Sequence, residues 1–254
     1  MLVENIKISR LILSLRNSFN LKPVQILLPK NNESYSISDA FCWRSDKSFN
    51  TIFRYTDLME YFTSIKNLNI KLVICDHNNT ILVSSLFKIK SLTDKIKINE
   101  IIKTSKKKSG HFFIFHELSP KIEQRILLRN SCYTSYSFKN NIQSIVHGNL
   151  PVIAENQNFI PYNKNIIQVS HLKTYDYMVQ NNFERYDKVE VFLFNPININ
   201  LEVKINDLSF TIKALNSKII NLPKASTYKF TSRCLFLRPI FFVYEDKIFD
   251  VFHG

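Results

Sequence analysis

Histidine, arginine and tyrosine at a few spacings are the chemistry this 254-residue chain offers. His116 in "IFHE", His147 in "IVHGN" and His253 in "VFHG" each follow an apolar residue. Three neutral imidazoles are enough ligands for a metal ion. His111 and His116 are five apart, however, so in one strand they face opposite ways. No clustered carboxylate stands by to orient a ligating ring. No metal is therefore expected, the remaining candidates being His116, His147 and His253. "HGN" is the most turn-like of the three contexts, because Gly148 can take backbone conformations that other residues resist. His147 and Asn149 are kept as ligand-binding candidates.

In "RILLRNSCYTSYSF", 125 to 138, a period of two puts Cys132, Thr134, Tyr136 and Phe138 on one strand face. Arg129, Tyr133 and Ser135 share a polar face, the pattern of a ligand surface and equally of a solvated strand, which is the commoner case. The densest stretch is "FCWRSDKSFNTIFRY", 41 to 55. As a base-stacking platform it would expose its rings. As a hairpin with the loop Arg44 to Ser48 it pairs Trp43 with Phe49 and Phe41 with Thr51, gathering the rings on one core face. The hairpin is the reading adopted. It leaves Arg44 in the loop and Arg54 on the opposite face, both candidates for ligand contact.

Several activities are excluded. The glycines are Gly110, Gly148 and Gly254, too few and too dispersed for a dinucleotide fingerprint or a P-loop. HExxH, Asp-x-Asp and G-x-S-x-G are absent, and no cofactor is expected. Cys42, Cys75, Cys132 and Cys234 form no CxxC pair and lie in apolar runs, where a free thiol acts as a small hydrophobe. With no export signal and no run of ~20 apolar residues, the expected setting is soluble and cytoplasmic, without a transmembrane segment. The formal charge of +13 suggests nucleic acid. Yet lysine is dispersed in a chain rich in Ile, Asn, Phe and Tyr, and its densest run, "KTSKKKSG", reads as a solvated loop; nucleic acid is disfavoured.

The elements that would position these residues are mostly strands. Ile8, Leu11, Ile12, Leu15 and Phe19 predict an amphipathic helix over 1–20. "PVQILLP" then starts a region of period two. A helix with an Asp57–Glu60 capping box presents Leu58, Tyr61, Phe62 and Ile65 as its apolar face. "IKLVICDHNNTILVSSLFKI" reads as a hairpin about Asp76–Asn79, and "KVEVFLFNPININLEVKI" as another about Asn195–Asn198. These parallels, with a closing aromatic strand in each half, suggest a tandem repeat. The expected fold is all-β, mainly antiparallel, as two β-sandwich-like domains with one or two short helices. The first spans 21–140 and the second 188–254, joined by a connection over 141–187 that carries a short helix. The function expected is non-catalytic binding of a glycan or another protein. The alternatives are a metal- or acid/base-dependent enzyme using His147 with His116 or His253 between the domains, and non-specific nucleic-acid binding.

Overall fold

The structure, a computed structural model, describes residue 15 and residues 33–254 other than 47–48, 67, 103–106, 123, 130–131, 140–141, 150, 162–165, 167–173, 235–236 and 247. The helix expected over 1–20, save Leu15, and the strand "PVQILLP" lie outside these residues. The chain is all-β and mostly antiparallel. Among the described residues no helix is long and apolar enough to cross a membrane.

The first half contributes β1 (Tyr35–Asp39), β2 (Phe41–Arg44), β3 (Phe49–Thr56), helix α1 (Leu58–Thr63), β4 (Asn69–Asp76), β5 (Ile81–Lys88), β6 (Thr93–Lys97), helix α2 (Ile98–Ile101), β7 (Ser109–His116), β8 (Leu127–Arg129), β9 (Tyr133–Phe138), β10 (Ser144–His147) and β11 (Pro151–Asn156). They form three sheets, ordered β2-β7-β4-β5, β10-β9-β3-β6 and β11-β1-β8. The second half contributes β12 (Tyr175–Gln180), β13 (Lys188–Phe194), β14 (Leu201–Ile205), β15 (Leu208–Ile212), β16 (Ser217–Leu222), β17 (Thr227–Ser232), β18 (Ile240–Glu245) and β19 (Ile248–His253). Its sheets are β12-β17-β14-β15 and β16-β13-β18-β19. The stretch 141–187 carries β10 and β11, which pair into the first half, and β12, which pairs into the second. Where a helix was expected, it has β12 and a 3₁₀ turn, Phe183–Arg185.

Burial explains the run patterns. On β13, Val189, Val191 and Leu193 pack against the outer β12-β17-β14-β15 sheet. Phe192 and Phe194 point the other way, into a core shared with Cys42, Phe49, Val73, Cys75, Phe113, Phe115 and Tyr136 of the first half. Where a strand is covered on both faces its residues run apolar, as 191–194 of β13 and 112–115 of β7 do. β14, with one face to solvent, alternates. A third core lies between β2-β7-β4-β5 and the β3–β6 end of the neighbouring sheet. All four cysteines are buried free thiols.

Two hairpin expectations are corrected. Residues 41–55 do not pair with one another: Phe41 faces Phe112 and Trp43 faces Gly110 in β7, while β3 pairs with β6 and β9. Glycine is required opposite the indole, since a Cβ at Gly110 would fall 2.2 Å from the Cys75 carbonyl and 2.8 Å from Trp43 Nε1. β2 meets β3 through side chains instead: Thr51 Oγ1 accepts from Arg44 N–H at 2.9 Å and donates to its carbonyl at 2.8 Å, and the Phe41 and Phe53 rings lie 4.9 Å apart. The rings are nevertheless core, with Phe41, Trp43, Phe49, Phe53 and Tyr55 all buried.

The second correction concerns Asn195–Asn198. The Asp76–Asn79 turn joins neighbours β4 and β5 in one sheet. Asn195–Asn198 instead carries the chain from β13 in an inner sheet to β14 in the outer one. Buried Asn195 staples that crossover, its Nδ2 donating to the carbonyls of Ile199, Ile212 and Lys213. The two turns are not equivalent, so the parallel that suggested a repeat does not extend to topology.

Candidate functional site

The site is assembled by strand register. Across β6-β3-β9-β10, Lys95 stands opposite Arg54, Arg54 opposite Tyr133, and Tyr133 opposite His147. Directly opposed residues share a face, so these four form one row across the sheet, about 14 Å long at ordinary strand spacing. Tyr133 is 46% exposed and its ring lies 4.1 Å from that of His147.

At the β6–β3 end the row runs into an open groove of about 560 Å³, walled by Arg54, Tyr55, Asp94, Lys95, Tyr133 and α1. α1 follows β3 without a loop, because Asp57 Oδ1 accepts from Met59 and Glu60 N–H at 3.1 Å and caps the first turn. The helix stops at Thr63, where Ser64 takes a left-handed conformation. Met59 is its buried anchor, which turns Tyr61 and Phe62 outward at 65% and 71% exposure. This corrects the expected apolar face: Tyr61 and Phe62, in edge contact at 5.0 Å, line the groove.

At the other end the His147 ring stacks on that of His253 at 6.5 Å. Arg129 grips Asp39 in a bidentate pair, Nε to Oδ1 at 3.1 Å and Nη2 to Oδ2 at 3.0 Å. Burial raises the Asp39 carboxyl against the opposing pull of Arg129 and Arg238. Burial, then Arg238 and Arg129, lower His147; burial and Arg238 press His253 down to about 4. Gly148 is needed for close approach, not for a positive φ: a Cβ there would lie 2.7 Å from Asp39 Cβ and from the Phe41 ring. Asn149 is buried beside it, its backbone N–H donating to the Ala40 carbonyl and both side-chain amide atoms lacking a partner among the described residues.

Of the residues singled out in sequence, Arg54, Arg129, Tyr133, His147, Asn149 and His253 therefore gather along one row and its end. Three do not. Ser135, expected on a solvated face, is fully buried, with Oγ donating to the Ile52 carbonyl. His116 is buried in another sheet opposite Ile70. Arg44, expected in a loop, is 2% exposed and bridges the halves. It donates to both oxygens of Asp46, and to Glu190 Oε2 at 2.7 Å. Its guanidinium covers the Phe49 and Phe242 rings at 4.2 and 4.9 Å. Among the described residues no three His, Cys, Asp or Glu side chains are placed to hold a metal ion.

Sequence reasoning missed one constellation. Ser217 Oγ lies 3.0 Å from His111 Nδ1, and His111 Nε2 lies 3.0 Å from Asn79 Oδ1. His77 bridges Ser217 Oγ and Ser109 Oγ at 2.8 Å each. Asn79 Oδ1 accepts only, so His111 carries its proton on Nε2 and receives the Ser217 hydroxyl on Nδ1. His77 must then donate from Nδ1 to Ser217 and accept from Ser109. This is the connectivity of a nucleophile, base and orienting amide, but His111 and Ser217 are buried between the halves. Burial, with His77 adding to it, drives His111 down to about 3, too low for a base at neutral pH. The chain of bonds joins the two halves as a latch.

His111 in the latch and His253 at the end of the row together set a pH dependence. His111 and His253 are held below the ordinary histidine value, so the unfolded chain takes up protons first as pH falls. Their contribution is complete above about pH 6.5 and is lost progressively toward pH 3–4. For His111 alone the loss by pH 5 is about 2 kcal/mol. Urea unfolding at pH 7 and pH 5 measures it; equal midpoints would show that His111 titrates normally.

No protein-family model, curated protein or solved structure matches this chain.

Proposed function

We propose that this is a glycan-binding protein whose ligand lies in the groove between α1 and β3-β6, held without being cleaved. The observation that carries the reading is the outward pair Tyr61 and Phe62 on the wall of an open, preformed groove. An exposed aromatic ring costs solvation free energy unless something covers it, and the C–H face of a sugar ring is a flat apolar partner for it. Thr93, Asp94, Arg54 and Lys95 on the same walls supply donors and acceptors for hydroxyls. Glycoside hydrolysis uses two carboxylates across the bond, and Asp94 is the one carboxylate among the described wall residues, which favours binding over hydrolysis.

A glycan array followed by calorimetry on the retained sugars tests this. Tyr61→Ala/Phe62→Ala is expected to weaken binding at least tenfold, about 1.4 kcal/mol. Both side chains are largely exposed, so folding stability should move by no more than about 0.5 kcal/mol. A wild-type protein that retains no glycan sinks the proposal.

A further inference from the structure

We propose that the row Lys95–Arg54–Tyr133–His147, with Arg129 and Arg238 at its end, binds the carboxylate or sulfate groups of an acidic glycan. The inference rests on the groove reading and adds the chemical class of its ligand. Its first support is an arrangement that folding alone disfavours. Lys95 and Arg54 are directly opposed across an antiparallel pair, where like charges repel. Arg54 is held by the neutral Gln143 Oε1 at 3.2 Å, and neither cation forms an ion pair among the described residues. An anion above the sheet would convert that repulsion into attraction.

The second support lies at the other end. Asp39 gives both oxygens to Arg129, leaving Arg238 within the field of Asp39, His147 and His253 but without an ion pair among the described residues. Arg238 is held there at φ 40°, a conformation that costs a non-glycine residue free energy. A row about 14 Å long, cationic at both ends with an aromatic platform between, fits an oligosaccharide bearing oxyanions on separated residues. A phosphodiester chain fits less well, because Asp94 on the groove wall accepts from sugar hydroxyls and repels closely spaced phosphates.

The test is calorimetry with three probes at two salt concentrations. They are a uronate-containing oligosaccharide, the same oligosaccharide with its carboxyls reduced to alcohols, and oligouridylate of equal charge. The wild type is expected to bind the acidic form at least tenfold tighter than the reduced form, with the gap narrowing at high salt. Arg54→Gln and Lys95→Gln, both at exposed positions, should each narrow that gap, weakening the acidic form several-fold more than the reduced form, which loses only a hydroxyl contact. Tyr61→Ala/Phe62→Ala should weaken both sugars equally. If the two sugars bind equally, the inference falls and the groove reading stands. If the acidic sugar binds and the aromatic double variant changes nothing, the anion row stands and the groove reading falls. Oligouridylate binding more tightly than either sugar overturns the inference in favour of nucleic acid.

Discussion

Replacing Arg44 by alanine is expected to destabilise the fold by about 3–5 kcal/mol, the cost of stranding a buried charge. The stranded group is Glu190. Burial works to raise its carboxyl, but Arg44, with hydrogen bonds from Lys188, Arg44 and Tyr244, outweighs burial and holds it at about 2. Without the guanidinium, Glu190 keeps, among the described residues, the half-buried Lys188 and the Tyr244 hydroxyl. Phe49 and Phe242 also lose the cation lying on their faces. The same physics predicts a partial rescue: Arg44→Met with Glu190→Leu removes both charges and should be less damaging than either single change. Denaturant unfolding of the four proteins gives the coupling. Additive losses below 1 kcal/mol would mean that water reaches the pair and that the halves are not sealed there.

Trp43→Ala should cost a similar amount, about 3–5 kcal/mol, by opening a cavity that rigid strands cannot close. The indole is fully buried, and its Nε1–H donates to the Cys75 carbonyl at 2.8 Å. The alanine variant thus leaves both a void and an unsatisfied carbonyl in β4. Trp43→Phe separates the two effects, keeping most of the volume and losing only the hydrogen bond, for about 1–3 kcal/mol. A tryptophan emission maximum typical of water in the native wild type, or an alanine variant as stable as wild type, would contradict the packing described.

What was legible in the sequence was what depends on local pattern. The burial of the 41–55 rings and of the cysteines, the strand-rich architecture and the Asp57 cap all follow from composition and short-range periodicity. What was lost depends on partners far along the chain. Trp43 pairs with Gly110 because only glycine leaves room for the indole, and a pattern search within fifteen residues could not find it. β13 carried a readable sign: its apolar run at 191–194 demanded cover on both faces, whereas β14 alternates, so the two could not be equal neighbours in one sheet. Ser135 was misplaced because its small side chain, set between Ile52 and Ile145 and bonded to the Ile52 carbonyl, is buried on a face where Tyr133 stays exposed. Tyr61 and Phe62 were assigned to the core because they are aromatic, yet the helix is too short to bury them along with Met59. The row of Lys95, Arg54, Tyr133 and His147 is a product of register among four strands. No spacing within the sequence could have shown it, although three of its members had been singled out.

The filled interface between the halves has a mechanical consequence. Many two-part binding proteins close around a ligand by bending at a linker, and part of the binding free energy goes into that closure. Here the inner sheets are welded by a continuous aromatic core, the Arg44–Glu190 bridge and the serine–histidine latch. On the proposed reading, a ligand on the row or in the groove would meet a surface built on these joined sheets, and affinity differences among ligands should then reside in their dissociation rates, with association rates nearly constant across a series.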